Sequence, residues 1–248
     1  MMGESDSPKN YWYTFYMRVQ PFGVGSFVHA MKRGARGLPI TRDKSDRWRF
    51  ARLLYFVNEE HSDEYWERST ASLGMFERPA SWPERVPLTR ILGWVLMPNH
   101  FHLILEETRE GGIAKFMQRL SGSMSTHFNI KYEEKGSLFQ GSYKSRTVQD
   151  DAYLRQLVPY VMVKNVFELY PGGYAKALKE FDRALEWGSK KYPFSSLPDY
   201  MGESDSPIVE KGIIGEMFPT PASFNTHAKE ILFSRAGVSD ELKALFLE

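Results

Sequence analysis

The chain has 248 residues, 42% of them apolar, which is enough for one large domain with a proper core. Its formal net charge of +1 excludes a general polycation, so any anionic partner has to meet a local basic patch. Cysteine is absent, which excludes disulfides and thiolate metal sites and favours a reducing, cytoplasmic compartment. We find neither a signal-peptide pattern nor an apolar run of about 20 residues, and we therefore expect no membrane partner.

The first part of the chain alternates between strand-like and helix-like patterns. After a polar N-terminus (1–10), aromatic and β-branched residues at 11–20 predict a first strand, and Ser26–Met31 is predicted as a short second one. Apolar residues at helical spacing predict a helix within 43–61. Residues 61–90 hold two tryptophans and three prolines without a clean period, which indicates an insertion with one short helix.

The second part of the chain begins with two strand segments within 88–107, separated at Pro98 and Asn99. An amphipathic helix is predicted over 111–132 and a loop entering a strand over 136–148. Further helices are predicted at 150–169, at 174–188 and in the tail from 208 onward.

The order of these elements is strand, helix, strand, strand, helix, strand, helix. It predicts an α+β fold, a ferredoxin-like antiparallel sheet with helices on one face. We divide the chain into a flexible N-terminus (1–10), a main domain (11–200) that contains the insertion at 61–90, and a helical C-terminal extension (201–248).

The stretch "MPNHFHLILEE" (97–107) places two histidines one residue apart in a predicted strand. Residues two apart in a strand point to the same face, with Cβ atoms about 7 Å apart, so His100 and His102 can converge on one metal ion. Phe101 and Leu103 then face the core. The simpler interpretation is that both histidines are ordinary half-exposed polar residues of the sheet.

The spacing from the histidine pair to Glu106 also resembles the first motif of cupin metal sites. A cupin requires a series of later strands and a third histidine on one of them. Here the following segments are helical, and the later histidines are His127, in a helix pattern, and His227, in the tail. The cupin interpretation is therefore a remote alternative.

A more specific resemblance involves several motifs in one register. "GWVLMPNHFHLILEE" resembles the histidine–hydrophobic–histidine (HUH) strand of single-tyrosine transposases, both the insertion-sequence type and the REP-associated type. The similarity continues through "FMQRLSGSMSTHFNIKY" and "GSLFQGSYKSRTVQDDAYL", and more loosely through "VPYVMVKNV" and "YPFSSL". It covers 90–168 in register and extends more loosely to 11–60.

The resemblance implies DNA transposition and recombination by a metal-dependent endonuclease that acts on single-stranded or hairpin DNA. A tyrosine hydroxyl attacks the scissile phosphate and leaves a 5′-phosphotyrosine link with a free 3′-OH. By position in the family pattern the nucleophile is Tyr160, and Tyr153 matches a position that is commonly structural. Mg²⁺ or Mn²⁺ held by His100 and His102 is expected to polarise the phosphoryl group.

The sequence departs from the family pattern near the tyrosine. Four residues after Tyr160, where the family places an Asn or Gln ligand, stands Lys164, which has no lone pair while charged. Asn165 at a distorted helix end, or Glu106, would then complete the metal shell. Pro159 removes a backbone donor and is expected to kink the helix. These departures keep open a second function, a domesticated hairpin-DNA-binding protein with weak or no cleavage.

A basic patch is predicted around the site. Between 108 and 165 the chain carries nine Lys and Arg against five Asp and Glu, whereas the rest is slightly acidic. Both a homodimer and a monomer are compatible with the sequence. The predicted DNA-binding residues are Lys144, Arg146, Tyr143, Lys164, Arg119, Lys115, Arg33 and Arg36.

Overall fold

The structure, a computed structural model, describes residues 22–234 and is centred on a four-stranded antiparallel sheet. The strands follow the order β2-β3-β1-β4, with α1 between β1 and β2 and α3 between β3 and β4. This order is that of the ferredoxin-like arrangement, and it confirms the predicted α+β class. The strands are β1 (Phe27–Arg33), β2 (Arg90–Leu96), β3 (His100–Glu106) and β4 (Lys144–Thr147). The predicted strand at 11–20 lies outside the described residues.

The helices occupy the segments where helical spacing predicts them, although several are divided. The predicted helix at 150–169 consists of α4 and α5 joined by a π-helical segment, Tyr160–Lys164. No helix between residues 22 and 234 is long and apolar enough to cross a membrane. The helices are α1 (Lys44–Phe56), α2 (Trp66–Ser69), α3 (Gly112–Tyr132), α4 (Asp151–Pro159), α5 (Asn165–Glu168), α6 (Gly173–Lys179), α7 (Phe181–Lys191), α8 (Leu197–Tyr200), α9 (Gly212–Met217) and α10 (Pro221–Phe233).

One face of the sheet packs against α1 and α3, as the alternation of apolar residues in the strands predicts. Val28 and Ala30 of β1 and Leu103 of β3 point to this side, where they meet the apolar stripes of both helices. The insertion packs onto the same core, because Trp66 of α2 stacks on Phe56 with ring centroids 5.1 Å apart. Residues 61–90 are therefore part of the main domain rather than a separate unit.

The other face of the sheet is also covered by helices. Leu92 and Val95 of β2 and Ile104 of β3 contact the run from α4 to α5 and, beyond it, the C-terminal helices. The prediction of helices on one face of the sheet therefore holds for α1 and α3, but it leaves out the helices that cover the second face. The sequence pattern gave no side for the helix at 150–169, which lies on the second face together with both histidines.

Phe101 is one of the large, fully buried side chains of the core that lies between the sheet and helices α1 and α3. It is fully buried and its ring lies 5.1 Å from that of Phe50 and 6.0 Å from that of Phe139. We expect Phe101→Ala to lower the free energy of unfolding by about 3–5 kcal/mol, since it removes an aromatic ring and leaves a cavity. Ile130→Ala on the 75% exposed side chain of α3 is the control and should stay within about 0.5 kcal/mol. Urea unfolding of both variants measures the change in the free energy of unfolding. Equal losses of stability in the two variants would contradict the placement of Phe101 in the core.

Candidate functional site

The two histidines of β3 lie on the second face of the sheet, as the sequence predicts. In the register between β1 and β3, His102 is opposite Met31 and His100 is opposite Arg33. His102 is fully buried, whereas His100, at the start of the strand, is 8% exposed. Their ring centroids are 5.0 Å apart and the rings are nearly perpendicular. Both imidazoles therefore belong to one small cluster.

A third histidine joins this pair from β1, and sequence reasoning missed it. Nε2 of His29 lies 2.9 Å from Nδ1 of His102 in a buried hydrogen bond, and the two rings stack with centroids 5.1 Å apart. The signal was present, because His29 is a lone imidazole inside a predicted apolar strand. Without the pairing of β1 with β3, nothing in the sequence connects it to residue 102.

The cluster keeps His102 neutral. Burial, reinforced by the neighbouring His29 and His100, holds the pKa of His102 well below its usual range. Within residues 22–234, Nε2 of His102 is buried without a hydrogen-bond partner. A neutral imidazole with one nitrogen bonded and the other turned to an open lone pair is the form that ligates metal ions.

A hydrogen bond to the preceding residue, Asn99, holds the ring of His100. Its Nδ1 lies 2.7 Å from Oδ1 of Asn99, and Nδ2 of Asn99 donates to the carbonyl oxygen of Gly37 at 3.1 Å. The turn after β1 is joined to the same place, because the Gly34 N–H donates to the carbonyl oxygen of Asn99 at 2.7 Å. The break at Pro98–Asn99 is thus a fixed turn at the His100 end of the sheet.

The structure brings Tyr160 to the histidines. Its ring centroid lies 5.6 Å from that of His102 and 6.3 Å from that of His29, nearly perpendicular to both. The side chain is 4% exposed. Helix α4, which directly precedes it, is capped by Asp150, whose carboxylate accepts a hydrogen bond from the Tyr153 N–H at 2.7 Å.

Tyr153 lies in a different environment, two helical turns earlier. The guanidinium of Arg146 on β4 stands 5.4 Å from the centre of its ring. Burial raises the pKa of Tyr153 to about 12. Its surroundings fit a structural stacking partner for Arg146.

The π-helical segment explains the departure at Lys164. The Asn165 N–H donates to the carbonyl oxygen of Tyr160, five residues earlier, instead of the usual four. This wider turn places Asn165, rather than Lys164, one turn beyond the tyrosine. Its Nδ2 donates to the same carbonyl oxygen at 3.0 Å, and its Oδ1 is buried without a hydrogen-bond partner in the described part of the chain.

The π-helical segment also lies unusually close to the sheet. Gly93 of β2 leaves room for the Met162 side chain of this segment, since a Cβ there would lie 2.1 Å from Cε of Met162. The tyrosine-bearing turn is thereby pressed onto the sheet face that carries the histidines.

Lys164 is a buried cation beside Tyr160. Its Nζ lies 5.0 Å from the centre of the tyrosine ring and 2.7 Å from Oε1 of Glu168 on α5. An ammonium group near a phenol favours the ionised form of that phenol. The residue therefore fits electrostatic support of the tyrosine rather than metal ligation.

Glu106 does not join the cluster. It lies at the opposite end of β3 from His100, about 20 Å along the strand, and pairs with Arg90. No group of three or more His, Cys, Asp or Glu is arranged to hold a metal ion among residues 22–234. By donor type, the remaining candidates for a cation are the two imidazoles and the amide oxygen of Asn165 on the tyrosine-bearing turn.

Several predicted DNA contacts share the sheet face with the histidines. Arg33 is opposite His100 in the register, while Lys144 is opposite Met31 and Arg146 is opposite His29. Cross-strand partners point to the same side of a sheet. Arg36 lies in the short turn after β1 at the same end. Tyr143 immediately precedes β4 and packs against the core on the opposite face of the sheet, the side of α1 and α3.

Two further predicted contacts lie elsewhere. Lys115 and Arg119 belong to α3, which covers the opposite face of the sheet. Lys115 is exposed there, and the Arg119 guanidinium donates to the carbonyl oxygen of Glu59 after α1. Charge counting along the sequence could not separate these two cations from those of β1 and β4, because it ignores which face an element covers.

Comparison with known proteins bears on the same segment. Residues 88–164 match the family described as "Transposase IS200 like", which confirms the family resemblance. The chain is similar to a solved structure described as "Structure of the REP associates tyrosine transposase bound to a REP hairpin". The identity is 14%, the TM-score is 0.40, and the match covers 79% of this chain and 90% of that chain. Comparison with curated proteins gives no match.

Proposed function

We propose that this chain, which belongs to the IS200-like transposase family over residues 88–164, cleaves and rejoins single-stranded or hairpin DNA through Tyr160. The observation that carries the proposal is the packing of Tyr160 against His102 and His29 within one chain. The tyrosine and the histidine cluster then lie side by side on one face of the sheet. One chain supplies both halves of this site, so cleavage does not require a second copy.

The reaction is a transesterification. Oη of Tyr160 forms a bond to the scissile phosphorus, the bond to the 3′-oxygen breaks, and that oxygen leaves as a 3′-OH after taking up a proton. The phenol loses its proton on attack, and the Lys164 ammonium beside the ring stabilises the resulting charge. Attack of a 3′-OH on the phosphotyrosine reverses the step, so that joining needs no nucleotide cofactor.

His100 and His102 would hold Mg²⁺ or Mn²⁺, with Asn165 as the third protein ligand. The cation supplies Lewis-acid polarisation of the phosphoryl group and leaves positions for phosphate and water. The neutral state of His102, enforced by burial, makes this imidazole available as a ligand at neutral pH. The amide oxygen of Asn165 is a hard donor of the type that both cations accept.

DNA binding is proposed for the cations on the histidine face of the sheet. Arg33, Lys144 and Arg146 line the strands beside the histidines, where a backbone would pass toward Tyr160. We expect Lys144→Ala to weaken the binding of hairpins of different sequence by similar factors. The slope of log affinity against log salt concentration should fall by about one, as for the loss of one phosphate contact. Lys115→Ala on the opposite face is the matched control and should change neither. Fluorescence anisotropy at several salt concentrations measures both, and equal losses would contradict this surface.

The test of the proposed function is formation of a covalent adduct. The protein is incubated with a labelled hairpin that carries single-stranded flanks, with Mn²⁺ or with a chelator. We expect an SDS-stable complex that forms with the cation and is absent with the chelator. A protein that binds the hairpin tightly yet yields no adduct would instead be the domesticated DNA-binding protein, and that result would reject cleavage.

A further inference from the structure

Pro159 leaves one backbone carbonyl group of helix α4 without its helical donor. In an α-helix each N–H donates to the carbonyl oxygen four residues earlier, so the carbonyl oxygen of Arg155 would accept from residue 159. Proline has no N–H, and this bond cannot form. The helix itself continues, because the Tyr160 N–H donates to the carbonyl oxygens of Gln156 and Leu157. The open carbonyl group therefore lies in the turn that directly precedes Tyr160.

A side chain from the C-terminal helix α10 occupies this open position. Nε2 of His227 lies 2.8 Å from the carbonyl oxygen of Arg155. A carbonyl oxygen only accepts hydrogen bonds, so Nε2 of His227 carries the proton and is the donor. The imidazole thus takes the place of the N–H that Pro159 lacks.

Phe218, which directly follows α9, contacts both partners of this hydrogen bond. Its ring stacks on that of His227, with centroids 4.7 Å apart and an angle of 29° between the planes. The Arg155 guanidinium stands 5.7 Å from the centre of the same phenyl ring. The C-terminal helices are therefore joined to Arg155 through its backbone and through its side chain.

Apolar packing accompanies the hydrogen bond. Phe224 and Ala228 of α10 belong to the same core as Leu154 and Val158 of α4. Apolar contacts are not directional, whereas a hydrogen bond requires a defined distance and angle. The bond from His227 therefore fixes the turn before the tyrosine more closely than the apolar packing can.

We propose that His227 is a positioning residue for Tyr160, whose hydrogen bond to the Arg155 carbonyl oxygen holds the tyrosine-bearing turn in place on the histidine face of the sheet. The C-terminal helices then take part in assembling the site, and Pro159 is the feature that opens the carbonyl group to them. The restraint on the turn is independent of cleavage, whereas its effect on the reaction rate rests on the proposed function.

The expected effect is on the fraction of molecules with a correctly placed tyrosine. The net contribution of one neutral hydrogen bond corresponds to a factor of about 2–10 in an equilibrium. Loss of the bond should therefore lower the rate of adduct formation at saturating hairpin by a factor in this range, because attack requires aligned reacting atoms. The hairpin concentration that gives half of the maximal rate should stay the same, since the proposed DNA contacts lie on β1 and β4.

The first experiment follows amide hydrogen exchange of residues 154–165 in metal-free, DNA-free protein. His227→Phe keeps a ring that can stack on Phe218 but removes the donor, and it should speed exchange in this segment. His227→Gln returns an N–H donor and should restore slow exchange. Lys229→Ala removes the ion pair from α10 to Asp182 of α7 and is the matched control, which should leave this segment unchanged.

The second experiment removes the need for the imidazole. Pro159→Ala returns an N–H to residue 159, which can donate to the Arg155 carbonyl oxygen within the helix. In this background His227→Phe should alter neither the exchange of 154–165 nor the rate of adduct formation with Mn²⁺. Such non-additivity is expected for two residues that act on one acceptor, and a general loss of stability would not produce it.

Unchanged exchange in His227→Phe, or an equal effect of this substitution with and without Pro159, would overturn the positioning role. Faster exchange combined with a wild-type rate of adduct formation would overturn it as well. The expected pattern of exchange in a protein that forms no adduct at all would instead overturn the proposed cleavage and leave the restraint on the turn standing.

Discussion

Replacement of Tyr160 by Phe should abolish the covalent protein–DNA complex, while Tyr153→Phe should preserve it. The substitution removes the single oxygen that forms the bond to phosphorus and keeps the ring that packs on His102 and His29. We expect the rate of adduct formation to fall by a factor of about 10³ or more, as for other nucleophiles of covalent catalysis.

Tyr153→Phe is the matched control on the same helix face. Its ring would still stack on the Arg146 guanidinium, so α4 should keep its position. Denaturing gels with a labelled hairpin measure both variants, and anisotropy confirms that each still binds. An adduct that persists in Tyr160→Phe and disappears in Tyr153→Phe would reverse the assignment of the nucleophile.

The second large effect is expected for His100→Ala. His100 is buried but stands at the first position of β3, so truncation should disturb the sheet less than a change at the centre of the strand, while it removes one of two imidazole ligands. We expect the rate of cleavage in Mg²⁺ or Mn²⁺ to fall by at least about 100-fold. Loss of a direct metal ligand should have a larger effect than loss of a residue that only orients a ligand, which typically costs about 10–100-fold. Hairpin binding by Arg33, Lys144 and Arg146 should persist.

His61→Ala serves as the control for His100→Ala. His61 lies in the insertion, where it packs on Trp82 away from the sheet face with the histidines. The cleavage rate of the His61→Ala variant should equal that of the wild type. Cleavage by His100→Ala at the wild-type rate, with the cation still required, would show that the metal site lies elsewhere.

The histidine pair could be predicted because its signal is local, whereas Tyr160 is singled out by the resemblance to the family pattern. Alternation with period two places His100 and His102 on one side of a strand, and the strand is confirmed as His100–Glu106. Tyr160 could be placed on a helix but not against the sheet. That contact depends on which face α4 covers, and helical periodicity does not specify a partner.

Two features of the site depend on contacts across the fold: the sequence reasoning missed His29, and it left Asn165 as one of two candidates beside Glu106. His29 reaches His102 only because β1 and β3 are neighbours, a pairing across 73 residues of chain. Asn165, rather than Lys164, lies one helical turn beyond Tyr160, because the helix widens into a π-helical turn at Tyr160–Lys164. Such turns have no simple sequence signature.

Mass spectrometry of the covalent complex tests the central proposal most directly. The adduct formed with a hairpin in Mn²⁺ is digested with nuclease and protease, and the peptide that retains a nucleotide is fragmented. We predict a 5′-linked nucleotide on Tyr160 and none on Tyr153. A nucleotide on any other residue, or no modified peptide from a protein that binds the hairpin, would contradict cleavage through Tyr160.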